Sequence, residues 1–171
     1  MIRENIQRGF TLVETMVAIS VMVIAVTAPL TLASQSLFAA VYAKDQMTSF
    51  YLAQEAIEVV REKREGNFMK IINGQSGVTW LDGIPADTDF LVDVPNDSMT
   101  ACSGSCFATP LLHNGFFYNY TSGDATRFSR RARVTVTGDE ALIQVDVRWR
   151  TGAFQERTIT ISERIYNWVP R

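Results

Sequence analysis

From residue 15 to residue 43 the chain carries no charged side chain, and from Lys44 onward charged and apolar positions alternate. A bilayer core about 30 Å thick takes about 20 apolar residues in helical form, so the uncharged run predicts a spanning helix. The helical pattern extends from Phe10 to Tyr42, roughly 50 Å at 1.5 Å per residue, which overshoots the bilayer. Its distal part, residues 34–43, is small and mixed, a surface suited to other helices more than to lipid. Beyond it Met47, Phe50, Ala53, Ile57 and Val60 recur at spacings of three and four, which predicts an amphipathic continuation of the same helix. Glu55, Glu58, Arg61, Glu62, Lys63, Arg64 and Glu65 supply its wet face. Gly66-Asn67 is the expected stop, giving a helix over residues 10–65 about 84 Å long. Pro29 removes one backbone donor inside the run. It either kinks the helix or is tolerated as membrane helices tolerate proline.

Residues 67–116 read as irregular, punctuated by Gly74, Gly77, Gly83, Pro85, Pro95 and Pro110, with short strands around residues 78–81 and 90–94. The C-terminal pattern has period two. Ala132, Val134 and Val136 form one run, Ile143, Val145, Val147 and Trp149 a second, and Ile159, Ile161 and Ile165 a third. Thr137-Gly138-Asp139 and Thr151-Gly152-Ala153 are the turns between them. This predicts a three-stranded antiparallel meander with one buried face, a further strand at residues 118–120 or 127–128, and Trp168 packed at the sheet edge. The buried face should cover the helix stripe, so the fold class is α+β, a long N-terminal helix against a C-terminal antiparallel sheet.

A length of 171 residues suits one domain with an appendage, and a net charge of -2 offers no basic field for nucleic acid. Asp82, Asp87, Asp89, Asp93 and Asp97 do not have the spacing of a calcium loop and read as loop acids. His113 is the single histidine, too few for a charge relay or a zinc site. No catalytic residues, metal site or cofactor are expected, and the chain is not expected to be an enzyme. Cys102 and Cys106 lie in a small polar loop and are expected to bridge if the domain is exported.

Ahead of the helix stand Arg3 and Arg8 against Glu4, so the N-terminus should stay cytoplasmic and the rest should cross. A secretory signal cut near Ala33-Ser34-Gln35 or Ala39-Ala40 is one alternative. A single-pass anchor carrying an exported domain of other function is another. Glu14 stands at the head of the apolar helix with no basic partner in the next turn. It either marks the helix start, where a carboxylate suits the dipole, or has a task of its own.

Gly9-Phe10-Thr11-Leu12-Val13-Glu14, after a short basic leader and before a long apolar helix, resembles the processing site of type IV prepilins and pseudopilins. The resemblance implies cleavage between Gly9 and Phe10 by a prepilin peptidase, N-methylation of Phe10, and a need for Glu14 in assembly. It divides the chain into a leader (1–9), a transmembrane and filament-core helix (10–43), an amphipathic continuation (44–66) and a globular domain (67–171). Implied partners are the peptidase, other pilin-like subunits, an inner-membrane assembly platform and, before assembly, lipid. The implied location is the cytoplasmic membrane with the C-terminal domain outside, then a pilus or a periplasmic pseudopilus. The segment Val13-Glu14-Thr15-Met16-Val17-Ala18 is similar to that of minor pilins and minor pseudopilins, implying a low-abundance or priming subunit. A glycine at position 9 lets the chain lie extended in a protease cleft. Cutting there leaves a cationic amine on Phe10, for which Glu14 of a neighbouring subunit is a natural counter-charge.

Overall fold

The apolar run and the amphipathic stretch form one element. In the computed structural model, which describes residues 9–151 and 156–167, α1 (Leu12–Ile72) is a helix of 61 residues that passes unbroken through Pro29. It also outlasts the expected stop. Asn67 is buried, and its Nδ2 donates to the Asp82 carbonyl at 2.7 Å, so the supposed breaker is a tertiary anchor on the helix. Termination comes at Gly74, with φ of 78°. The Gly74 N–H donates to the Ile71 carbonyl and the Gln75 N–H to the Lys70 carbonyl, both at 3.0 Å. That pairing needs a left-handed residue at the turn, which glycine supplies without steric cost.

The chain falls into two units, Met1–Tyr42 and Ala43–Arg171. In the first, the large apolar side chains from Phe10 to Phe38 are all exposed. The hydroxyls among them turn back on their own helix. Ser20 donates to the Met16 carbonyl at 2.8 Å, Ser34 to Leu30 at 3.0 Å and Ser36 to Leu32 at 2.9 Å, and Thr27 bonds Val23 likewise. Each polar group is thereby satisfied internally, as an apolar surround requires.

In the second unit the chain adds β1 (Asp89–Asp93), β2 (Ser98–Ala101), β3 (Leu112–His113), β4 (Tyr118–Asn119), β5 (Asp124–Ala125), β6 (Phe128–Thr137), β7 (Glu140–Arg150) and β8 (Glu156–Tyr166). Five of these form an antiparallel sheet in the order β2-β1-β6-β7-β8, and three form a small sheet, β4-β3-β5. The meander β6-β7-β8 is the one the alternation predicts, widened by β1 and β2. Its register sets Val134 beside Ile143, and Val145 beside both Ala132 and Ile161. These residues therefore share one face. Residues 78–81, expected as a strand, are irregular and enter a turn at residue 80, and Phe128 opens β6 rather than forming a strand of its own. The 151–153 turn, apart from Thr151, and the packing of Trp168 lie outside the described residues.

The core is made by α1, the meander and β1. Leu52, Ala53, Ala56, Ile57 and Val60 join Phe90, Val92, Val134, Ile143, Val145 and Val147 in one buried cluster. The expected stripe is misphased at its start, because Met47 and Phe50 are 61% and 40% exposed while Asp45 and Ser49 are buried. Spacings of three and four fit two adjoining helix faces, and the covering sheet selects between them.

Arg130 and Asp45 are among the buried polar side chains of this unit. Arg130, on β6 between Phe128 and Ala132, is 0% exposed. Its guanidinium donates to the Leu52 carbonyl at 2.7 Å and to the Val92 carbonyl, and it pairs with Glu55 at 3.2 Å. It thus ties the helix to both β6 and β1. Asp45, near the start of this unit, accepts from Arg127 at 3.0 Å and Thr151 at 2.6 Å.

On the other face of the sheet, Asp146 accepts from Arg131 Nε at 3.1 Å and Thr160 at 2.6 Å. Burial pushes its carboxyl pKa up, but the bonds from Thr160 and Arg131 outweigh burial and hold it below the ordinary value. A carboxylate with a depressed folded-state pKa stabilises fully above the unfolded value near ~4, and loses that contribution as pH falls through the folded value. The domain should therefore lose stability on acidification below about pH 4. Asp146→Asn should lower the neutral-pH unfolding midpoint and flatten the acid limb. Unfolding midpoints across the acid range check this, and an acid limb as steep in the variant as in the wild type would exclude it.

Cys102 and Cys106 are bonded to each other, with Cα atoms 5.5 Å apart. Cys106 is buried, and the Cys102 N–H donates to the Asp89 carbonyl at 2.9 Å, which fastens the loop to β1. The next residue, Phe107, lies under Arg148 at 3.8 Å and Arg131 at 5.2 Å from its ring centroid, a cation–π contact.

Candidate processing and assembly site

Gly9 and Phe10 precede the helix, and Thr11 caps it. The Glu14 N–H donates to Thr11 Oγ1 at 3.2 Å, and the Thr15 N–H to the Thr11 carbonyl at 3.1 Å. Thr11-Leu12-Val13-Glu14 has the spacing of a capping box, with threonine at the N-cap and an acid three residues on. Thr15 adds a bond from its hydroxyl to the Leu12 carbonyl at 2.8 Å. The cap fixes where the helix begins, and therefore where extended backbone ends. Thr11 went unnoticed in the sequence, although the capping spacing is visible there once the helix start is placed at Leu12.

The Gly9–Phe10 bond lies just ahead of this cap, with Phe10 alone between it and Thr11. Phe10 is 81% exposed, and a Cβ added to Gly9 would meet nothing within 4 Å. Among the described residues, nothing packed against that position calls for a glycine.

Glu14 occupies the first turn of α1, where a carboxylate meets the positive end of the helix dipole. It is the last charged side chain before Lys44. The helix that follows contains an 18-residue window of mean hydropathy 2.3, none of it buried inside the structure. By length and composition it can cross a membrane.

Gly9, Phe10 and Glu14 lie close together along the first unit, whereas Cys102 and Cys106 belong to the second. The expected loop acids are placed individually. Asp89 pairs with Arg131 at 3.2 Å and Arg133 at 2.6 Å, Asp93 accepts from Asn96 at 2.8 Å, and Asp87 accepts from the Val136 N–H at 3.3 Å. His113 accepts from the Gly115 N–H at 3.2 Å and stacks on Tyr118 at 4.8 Å between centroids. Among the described residues no three His, Cys, Asp or Glu side chains converge as metal ligands do.

Residues 5–28 match the family described as the prokaryotic N-terminal methylation motif. The chain carries a type IV prepilin-like signal, and the matched stretch spans Gly9, Phe10, Thr11 and Glu14. No curated protein and no solved structure matches the chain.

Proposed function

We propose that the chain is a structural subunit of a type IV pilus or a type II secretion-like filament, a minor pilin or pseudopilin rather than a catalyst. The observation that carries this is the Gly9–Phe10 bond, exposed and outside the helix, one residue before the Thr11 cap and inside the matched signal. In this reading a prepilin peptidase cuts there and the new Phe10 amine is methylated. The exposed apolar helix first lies in the cytoplasmic membrane, with the C-terminal domain outside. It then passes into a bundle of like helices through an assembly platform. Mass spectrometry of the N-terminal peptide from membranes tests the first step. N-methylated Phe10 is expected, and a chain that still starts at Met1 in cells with an active peptidase would return the protein to the class of plain membrane anchors.

Assembly should depend on Glu14. The Phe10 amine created by cleavage lies four residues before it, and an amine held in an apolar bundle is costly unless paired. A neighbouring subunit's Glu14 supplies the pair and fixes axial register. Glu14→Gln keeps the side chain's shape and removes its charge. Insertion and cleavage should persist while incorporation into sheared filaments, normalised to the membrane pool, drops by roughly tenfold or more, about 1.4 kcal/mol of lost pairing. Wild-type incorporation would sink the charge-pairing mechanism.

A further inference from the structure

The hairpin joining β3 to β4 displays two aromatic rings to solvent. Phe116 is 84% and Phe117 59% exposed, with ring centroids 6.5 Å apart. Their display is built in. Asn114 Oδ1 accepts from the N–H groups of Phe116 at 3.0 Å and Phe117 at 2.9 Å. Gly123, at φ of 107°, presses on the hairpin so closely that a Cβ there would sit 2.4 Å from the His113 carbonyl oxygen. A turn fixed this firmly holds the rings outward, where each forgoes about 1.5–3 kcal/mol of burial.

The hairpin stands at the end of the domain where the chain arrives from the apolar run. Lys44, Asp45, Thr48, His113, Tyr118 and Arg127 line one shallow cavity there. Lys44 is the first charged residue after that run. Phe128, the first residue of β6, borders the same cavity. Thr137 closes the far end of that ten-residue strand, roughly 30 Å away at ~3.3 Å per residue.

We propose that Phe116 and Phe117 dip into the headgroup region of the bilayer and seat the domain on lipid before assembly. This rests on reading the apolar part of α1 as a membrane span. With Phe10 at one surface, the run to Ala43 covers roughly 50 Å of helix. A bilayer with its headgroups is about 40–45 Å thick. An ordinary tilt of about 20° takes up part of the difference. Lys44, the second residue of the second unit, then comes to the outer edge of the headgroups, and the hairpin whose flanks share its cavity is tethered within reach of them. Local charge is balanced, because Lys44 and Arg127 stand against Asp45 and Asp124. The rings rather than the charges provide the attraction, so it should survive high salt and zwitterionic lipid.

The test uses the full chain, disulfide intact, in vesicles of phosphatidylethanolamine and phosphatidylglycerol. Nitroxides are placed singly at Phe116→Cys, at Val23→Cys inside the apolar run, and at Thr137→Cys. Collision with oxygen, compared with a water-soluble nickel chelate, reports depth. The expected result is a strongly lipid-like ratio at Val23 and an aqueous ratio at Thr137. Phe116 should fall between them, severalfold above Thr137 and unchanged in phosphatidylcholine or high salt. Phe117→Cys should repeat the Phe116 result. An aqueous ratio at Val23 would overturn the membrane reading and the proposal together. A lipid-like Val23 with Phe116 equal to Thr137 would overturn the proposal alone. An aqueous Phe116 ratio with spin–spin broadening would put a second copy on the hairpin and also overturn it.

Discussion

Cells making the Gly9→Leu variant should accumulate an uncut precursor that stays in the membrane. A Cβ at position 9 meets nothing within 4 Å among the described residues, so folding and insertion should be unaffected. The leucine is felt only by the enzyme that must draw the segment, extended, into its cleft. A misfit that slows cleavage tenfold requires only about 1.4 kcal/mol at the barrier, and a branched side chain at the scissile bond should exceed that. Pulse-chase labelling with mass analysis reads the fraction cut at Phe10. Wild-type cleavage of the variant would falsify the assignment of Gly9. Filament defects in this variant should be secondary, because an uncut chain lacks the Phe10 amine that Glu14 is proposed to meet.

Arg130→Ala should cost the domain about 3–5 kcal/mol of stability, the range for removing one member of a buried charged network. Arg130 bridges Leu52 on the helix and Val92 on β1, and it neutralises Glu55. Alanine leaves the Val92 carbonyl without that donor and opens a cavity beneath β6. Glu55 can turn to water, because its side chain is 38% exposed. Arg130→Met, which refills the volume, should therefore recover a good part of the loss. Urea unfolding of the detergent-solubilised chain, followed by near-ultraviolet circular dichroism, measures both. A loss below about 1 kcal/mol for the alanine variant would mean that the guanidinium is not holding the layers together.

The N-terminal signal and the meander were legible because each rests on a dense local pattern. The signal is a handful of consecutive residues before an uncharged helix. The meander is a period-two alternation that fixes its own faces, and Val134, Val145 and Ile143 all fall where it puts them. What was missed depended on partners far along the chain. Arg130 stands two residues from Ala132 on the inward side of β6, yet its charge argues for the outside. Only the Leu52 carbonyl and Glu55 of α1, with the Val92 carbonyl of β1, make the inward position tenable. Gly66-Asn67 reads as the helix stop, yet the helix runs on to Ile72. Asp82, fifteen residues on from Asn67, reverses that reading by accepting the Asn67 amide. Met47 and Phe50 satisfied a helical period and still face out, since the period does not say which side will be covered. The two-residue strands of the small sheet are too short to leave any periodic trace.

Arg130 bonds a carbonyl 78 residues earlier in the chain. That separation has a consequence for biosynthesis. The helix face around Leu52, Ala56 and Val60 leaves the ribosome well before the strands that will cover it, because β6 and β7 are among the last three strands made. For that interval its apolar residues have no native cover, and closing so long a loop is an entropic step that the last strands must complete in one movement. The second unit is therefore expected to acquire its native packing late, only after β7 has been made. A ribosome stalled before residue 140 should leave the domain open to protease, whereas one stalled after β8 has cleared the exit tunnel should protect it.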